Sequence, residues 1–573
     1  MNKFFLAIII VLLFFLSCDE EQDSGTIFNY PLETQWSNVN IENLSRNDTI
    51  IIFAEFNFKA QNAQSLIISV PSNVNFKAFL GDTLIANKTY GEICNLNKQE
   101  LKEYKTPITP YNVPSNFYLN ASQITTEKIR FEVFKTVPKK GSENLGIKLF
   151  YSTSKKEEKI HVDFTNQVKT FFSESKLPII NINTEGALSD DTKVVADFFV
   201  VDNLGGNNSL KDTATIKGKA KIKIRGSSSK ALPKQSYLFK TYDDSLSKKE
   251  ISLLGLPKES EWVLYAPFID YSLMRNVLSY KLHSKMENYS PRTKYFHLII
   301  NNDYRGIYVL VERIKRGKNR INVAKQNKKT IDKDSITGGY IVKLDKGKGE
   351  AWASTFKSNI DSGFGKWFIH VYPKSKNLTQ AQRDFIRGYI ASFETALLNG
   401  GNWDDYIETK SFIDYMIMME MTKNVDGYRL STFYSKDRGG KLKADPLWDL
   451  NLSFGLTSYY DGYKTEGFMY KDKASPFWWQ YFMQNPKFKK AFKARWKELR
   501  KTVLSEKAIN HAINEEVNLL QSDIHYNTEK WMSYKETNNW RKEDQTSFKG
   551  SISYLKNWIK KRNAYLDSIF LQL

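Results

Sequence analysis

The apolar residues of this chain change period once along its length, and that change limits the fold more than any other feature. Up to Val311 they alternate with polar residues, as in Thr49-Ile50-Ile51-Ile52-Phe53-Ala54-Glu55-Phe56-Asn57-Phe58 and Lys128-Ile129-Arg130-Phe131-Glu132-Val133-Phe134, the pattern of half-buried strands. From Thr379 onward they recur at every third or fourth position, as in Ile386, Ile390, Phe393 and Leu397, the pattern of a helix face. Thr379 with Gln382 three residues later is a capping-box signature that starts the first of these helices. Further helices are predicted over 411–423, 486–503 and 552–570, the last marked by Leu555, Ile559, Tyr565 and Ile569. Strands and helices arranged in blocks, rather than alternating, predict an α+β architecture. No repeat of solenoid length is present.

At 573 residues the chain exceeds one typical core, so at least two domains are expected. Its 41% hydrophobic and 14% aromatic content exclude a mostly disordered protein. Within residues 27–165 the short alternating segments are separated by Asn, Gly, Ser and Pro clusters, which predicts a β-sandwich-like module. A polar stretch from Phe164 to Lys176 then leads into Leu177-Pro178-Ile179-Ile180-Asn181-Ile182, where a second unit, residues 177–573, begins. Strands over 194–201 and 220–224, a helix over 271–286 and a hairpin over 295–311 turning at Asn301 to Gly306 make its first half a sheet-rich lobe. Its second half is a helical lobe.

The amino terminus, MNKFFLAIIIVLLFFLSCDEE, carries one lysine, an unbroken apolar run from Phe4 to Leu16, then Ser17 and Cys18. The run is too short to span a bilayer and ends at a processing site, so residues 1–17 read as a signal peptide. Phe15-Leu16-Ser17-Cys18 looks like a bacterial lipobox, with Cys18 the residue that takes lipid after cleavage. Residues 18–26 are a polar tether, and Asp19-Glu20-Glu21 resembles the surface-export signal of lipoproteins in Bacteroidetes-type bacteria. The expected location is the bacterial envelope, with the membrane reached through lipid at Cys18, either at the outer membrane or cell surface or facing the periplasm. Cys94 is the one other cysteine, so the mature chain has no internal disulfide, and Cys94 reads as a small buried hydrophobe.

With 84 Lys and Arg against 63 Asp and Glu the net charge is +21, which favours anionic partners. The basic residues are spread along the chain and no nucleic-acid recognition motif is present, so nucleic acid is not an expected partner. Runs such as 487–501 read first as the solvated face of a helix.

Asp426 and Asp449 stand at the two ends of a stretch from Asn424 to Gly455, with a hairpin predicted between them over 432–443. Phosphoryl transfer needs one carboxylate to orient the attacking hydroxyl, a second to hold a metal ion on the phosphates, and cationic or backbone donors over the phosphate chain. Two aspartates on either side of a hairpin fit that requirement, and they also occur as ordinary loop residues.

The words around them are more specific. Ile224-Arg225-Gly226-Ser227-Ser228, Pro233-Lys234-Gln235-Ser236-Tyr237, Asp270 with Leu273-Met274-Arg275-Asn276, Asn302-Asp303-Tyr304-Arg305-Gly306-Ile307-Tyr308 ending in Glu312, Gly338-Gly339-Tyr340, Asn424 to Asp426, and Pro446-Leu447-Trp448-Asp449-Leu450-Asn451 occur in this order. Together they resemble the spore-coat CotH kinase family over about residues 177 to 460, and the C-terminal helices are similar to its bacteroidetal lipoprotein branch. The resemblance implies an atypical, bilobal protein-kinase-like domain that binds ATP with magnesium or manganese and phosphorylates Ser or Thr of a protein substrate. It implies that Asp426 is the catalytic base and Asp449 the principal metal ligand. Arg225 and Ser228 would lie over the phosphates, Lys240 or Lys234 would pair with them, and Glu312 would face the nucleotide.

Two positions depart from the kinase pattern. Ser431 stands where an asparagine usually helps hold a second metal, and Asn451 where many family members have a second aspartate, so the metal site carries less negative charge. The alternative reading is therefore a catalytically weak scaffold that acts as a cell-surface binding protein or adhesin, with surface glycan as a partner. Phe477-Trp478-Trp479 could stack on sugars, although helix packing explains it as well. Simpler roles exist for the other residues too: a tight turn for Arg225 to Ser228, a solvated strand end for Lys240, a surface ion pair for Glu312 with Arg313, core packing for Trp448 and a helix cap for Asp270.

Overall fold

The computed structural model describes residues 174–573 apart from 302, 331, 348–349, 355, 357–365 and 532–546, together with the backbone of nine strands between Thr49 and Lys169. The expected signal peptide, Cys18, the tether and Cys94 lie outside the described residues. The chain divides into a smaller unit that includes Ile51–Gln167 and a larger one that includes Val168–Leu573. In the smaller unit the strands form one sheet of five and one of four, antiparallel wherever the register is described.

The larger unit opens with a closed barrel of seven strands: β1 (Ile179–Thr184), β2 (Val194–Val201), β3 (Ile216–Arg225), β4 (Ser236–Tyr242), β5 (Glu261–Tyr265), β6 (Thr293–Ile300) and β7 (Asp303–Glu312). Their spatial order is β1-β2-β3-β4-β5-β7-β6. Six neighbouring pairs are antiparallel, and the parallel pairing of Ile179–Ile182 with His297–Ile300 closes the circle. Alternate residues fill the interior, among them Ile180, Ile182, Phe198, Val200, Ile222, Phe239, Trp262, Leu264, Leu298 and Leu310. Burying such side chains stabilises the fold by roughly 1.5–3 kcal/mol each.

The outer face of one barrel wall is apolar as well. Val263 on β5 and Ile307, Val309 and Val311 on β7 pack on the main core, which they share with α1 (Arg275–Lys285). Hydrophobic residues at consecutive positions of β7 thus serve two cores, one on each face. The hairpin turn between β6 and β7 is tighter than the sequence suggests, since pairing resumes at Asp303 opposite Ile300.

A second sheet follows, formed by β8 (Tyr340–Lys346), β9 (Trp352–Ala353), β10 (Lys366–Tyr372), β11 (Thr432–Lys436) and β12 (Leu442–Lys443) in the order β9-β10-β8-β11-β12. The helices are α2 (Gln380–Leu398), α3 (Thr409–Thr422), α4 (Phe477–Phe482), α5 (Pro486–Lys501), α6 (Glu506–Leu520), α7 (Ile524–Trp531) and α8 (Phe548–Phe570). The capping box at α2 is formed: Gln382 donates its backbone N–H to Thr379 Oγ1, and Thr379 donates its own to Gln382 Oε1 at 2.8 Å. Ile386, Ile390, Phe393 and Leu397 lie on its buried face.

α3 is buried on every side from Ser411 to Thr422, as expected of a helix that is apolar all round. It ends at Lys423 in a left-handed conformation, φ 46°, and the chain then emerges as Asn424 to Asp426. Trp478 and Trp479 are core residues, packed around Phe393, Phe412 and Tyr428. Their rings therefore serve helix packing and are not offered to a sugar.

Candidate active site

Asp449 lies between β12 and α4 on a loop that α1 holds in place. Tyr280 Oη accepts a hydrogen bond from the Asp449 backbone N–H at 3.1 Å, and Asn276 Oδ1 accepts one from Leu450 at 2.7 Å. Arg275 donates from Nε to the Ser453 carbonyl at 3.1 Å. From the other side Phe454 donates its N–H to the carbonyl of Thr422 at the end of α3. Asp270 fixes the start of α1 by accepting from the Arg275 backbone N–H and its guanidinium, while the cap position itself is Met274.

Asp426 follows α3 by four residues and is half-buried. Its Oδ1 accepts from Arg429 Nη2 at 2.7 Å, and its Oδ2 has no partner among the described residues. Burial pushes its carboxyl up from the usual range, opposed by Arg429 and Lys346 and reinforced by Asp345. Asp449 presents its side chain to solvent from a recess dense with protein atoms. That crowding raises its carboxyl to about 6, with Arg225 opposing the rise and Asp426 and Asp345 adding to it. A like charge raises a carboxyl in this way when it lies near it, which brings Asp426 and Asp345 into the surroundings of Asp449.

Part of the chain's backbone strain falls in the same place. Tyr428 (φ 67°), Ser431 (φ 51°), Asp449 (φ 63°) and Phe454 (φ 53°) are all non-glycine residues in the left-handed region. Each costs on the order of 1–3 kcal/mol and persists only where the surroundings over-determine it, as happens at functional sites.

Arg225, at the end of β3, makes no ion pair among the described residues. Its guanidinium lies 5.6 Å over the ring of Trp448, which in turn stacks on Tyr280. Burial lowers its pKa and Asp449 raises it, so a cation stands near the second carboxylate, with no side-chain hydrogen bond among the described residues. Gly226 follows at φ +133°, where a Cβ would collide with Ser229 Oγ; this is the position at which the turn demands glycine. Ser228 opens the short 3₁₀ turn Ser228–Ala231 and is exposed.

The candidate lysines are placed elsewhere. Lys240 donates to Glu261 at 2.8 Å across the β4–β5 pair. Burial would raise the Glu261 carboxyl, but Lys240 and Arg313 overcome that and bring it to about 2. Lys234 is buried beneath α7, donating to the Ile307 carbonyl at 2.6 Å and to Asn527 Oδ1 at 2.7 Å. Glu312 is fully buried and both its oxygens are engaged, by Arg292, Arg320 and Tyr289. It is a structural knot at the end of β7 and not the exposed ion pair with Arg313.

Two further residues join the aspartates. Lys343 and Asp345 stand on one face of β8, paired to each other at 2.5 Å, and both act on Asp449. The β8–β11 ladder pairs Leu344 with Thr432, so Asp345 and Ser431 are the next residues out on the two strands. The readable signal was the alternation of Tyr340 to Lys346 directly after Gly338-Gly339, which puts Lys343 and Asp345 on the same side. Asn451 is half-buried two residues beyond Asp449.

Residues 222–566 match the family described as CotH kinase protein, which is more than half of the chain. The chain belongs to the CotH kinase protein family. No curated protein matches the chain. The CotH kinase match begins inside β3, just before Arg225, and ends inside α8, so the barrel wall that carries Arg225, the clamp from α1 and both aspartates fall within it. The smaller unit lies outside the CotH kinase match.

Proposed function

We propose that this CotH kinase family chain is a metal-dependent, atypical protein kinase that transfers the terminal phosphoryl group of ATP to Ser or Thr of a protein. One observation carries the reading: Asp426 and Asp345 raise the carboxyl of Asp449 while Lys343 and the guanidinium of Arg225, which has no ion pair among the described residues and lies over Trp448, oppose that rise. The sheet-rich barrel followed by helices supports a two-lobed, kinase-like arrangement of the larger unit.

The donors fit magnesium or manganese, since Asp449 and its neighbours Asn451 and Ser431 offer only oxygen to a hard cation. Among the described residues no three His, Cys, Asp or Glu side chains are grouped closely enough to hold an ion. Phosphate oxygens and water would have to complete the shell of such a cation. When bound, ATP and the cation supply the phosphoryl group and neutralise its oxygens. Asp426 accepts the acceptor hydroxyl's hydrogen bond through Oδ2 and takes its proton as the new oxygen–phosphorus bond forms and the bond to ADP breaks. Arg429 keeps the carboxylate turned by holding Oδ1. Arg225 is placed to donate to the phosphate oxygens, where a planar guanidinium can bind two at once.

Labelled ATP with Mg²⁺ or Mn²⁺ and a Ser-rich acceptor tests this. Asp426→Asn should lower transfer by about 10²- to 10⁴-fold, and a variant that transfers as much label as wild type overturns the reading. A second reading, a catalytically weak surface-binding scaffold, is favoured by the neutral Ser431 and Asn451. It predicts nucleotide binding by calorimetry without transfer. Lipid at Cys18 would hold either form at the bacterial envelope. Cys18→Ala should then move the chain from the membrane fraction to the soluble one.

A further inference from the structure

A cleft of about 820 Å³ opens where the chain leaves β7, bordered by the turn after β10 and by the segment around Gln326. Seven of its lining residues are Lys or Arg, and Glu261 is the one acid among them. Three of these cations are occupied: Arg313 pairs with Glu261, Lys315 with Glu259 at 2.8 Å, and Arg316 donates to the Val323 carbonyl and lies over the Tyr372 ring. The other four, Lys248, Lys328, Lys329 and Lys374, are exposed and have no carboxylate partner among the described residues. Ile314, Val371, Tyr372 and Pro373 give the same cleft an apolar wall.

The charges lining the cleft act on the same groups as those of the aspartate site. Arg313 and Lys343 both press on Lys374, while Lys343 also acts on Asp449 and Arg313 on Arg225. Four unpaired ammonium groups around one concavity repel each other, and a ligand with several negative charges relieves that repulsion.

We propose that this cleft binds an acidic stretch of the protein substrate, so that the acceptor Ser or Thr is chosen by aspartates and glutamates near it. This rests on the kinase reading above. The lysines come from three separate segments that line the cleft, which suits an extended chain with carboxylates at intervals of about 3.3 Å per residue. A nucleotide's phosphates converge on one point and want forked donors, which Arg225 provides. The apolar wall takes side chains between the acids.

The test uses the full chain in detergent and two labelled peptides, one with a serine flanked by Asp and Glu, the other with Asn and Gln in their place. Anisotropy without nucleotide should show the acidic peptide binding at least about tenfold more tightly, an advantage that shrinks as salt is raised. The triple variant Lys328→Glu, Lys329→Glu, Lys374→Glu should lose that advantage while its melting temperature stays within a few degrees of wild type and its ATP affinity by calorimetry within twofold. Equal binding of the two peptides by wild type overturns the proposal. So does a triple variant that keeps the preference, or one that loses ATP affinity in parallel, which would give the cleft to the nucleotide. Binding of a sulfated oligosaccharide in place of both peptides also overturns it. If the acidic peptide binds as expected but wild type transfers no phosphate to it, the kinase reading fails and the surface stands.

Discussion

Single side chains separate what was readable from what was not. Asp426 and Asp449 stood out as candidates because their neighbours form ordered words in the sequence, whereas Lys343 and Asp345 did not, because a lysine and an aspartate on a strand look like any solvated face until the β8–β11 ladder brings Asp345 level with Ser431. Lys240 and Lys234 show the reverse. Both are lysines at plausible positions, yet one is neutralised by Glu261 and the other is sealed under α7, facts of three-dimensional packing with no local trace. Arg225→Met should therefore weaken ATP binding in calorimetry by about 1.5–3 kcal/mol, the worth of a hydrogen bond to a charged group, whereas Lys240→Met should change it little. Glu394 gives a test of stability that is independent of activity. It is buried, accepting from Ser354 and from Trp478 Nε1, and burial raises its pKa from 4.5 to about 7. The folded chain thus keeps this proton to higher pH than the unfolded chain, so stability falls as pH rises from about 4.5 to about 7 and is level above that. Glu394→Gln should match wild type near pH 5 and exceed it at pH 8 by at most about 3 kcal/mol, read from denaturant melts at the two pH values.

At the scale of elements, α2, α5 and α8 were readable because each carries its own period and its own cap, whereas α6 was not predicted although Ser505 caps it. Elements whose placement depends on a distant partner were not readable. α7 is one such element: it lies against β7, where Gly306 at φ +93° leaves room for it, and a Cβ there would sit 2.6 Å from Trp531 Nε1 and 2.7 Å from Asn527 Oδ1. Gly455 plays the same part for α8, with a would-be Cβ 2.5 Å from Trp558 and a φ of +80°. Gly455→Ala adds a steric clash to a strained backbone and should cost at least about 2 kcal/mol in urea unfolding. Thr379→Ala removes only the capping acceptor of α2 and should cost about 1 kcal/mol. The contrast between the two measures how much of each helix end is fixed by its own sequence and how much by its neighbour.

For the whole molecule, the α+β class followed from the change in apolar period, but the return of the chain to a second sheet at β11 and β12 after α2 and α3 did not, and neither did barrel closure. It depends on β1 finding β6 in parallel register more than a hundred residues later, a pairing that no local pattern announces. A chain started at Glu185 lacks β1, leaves β2 and β6 with open edges, and should aggregate in sedimentation where the full chain does not. The clamp on the Asp449 loop has a consequence of another kind. Three hydrogen bonds from α1 and one to Thr422 must break before that loop can swing away, and at about 1 kcal/mol net for each bond the displaced form is on the order of one molecule in a thousand. The molecule therefore idles in gear: the loop has no appreciably populated displaced form, and on the kinase reading proposed above turnover would follow the supply of nucleotide and acceptor.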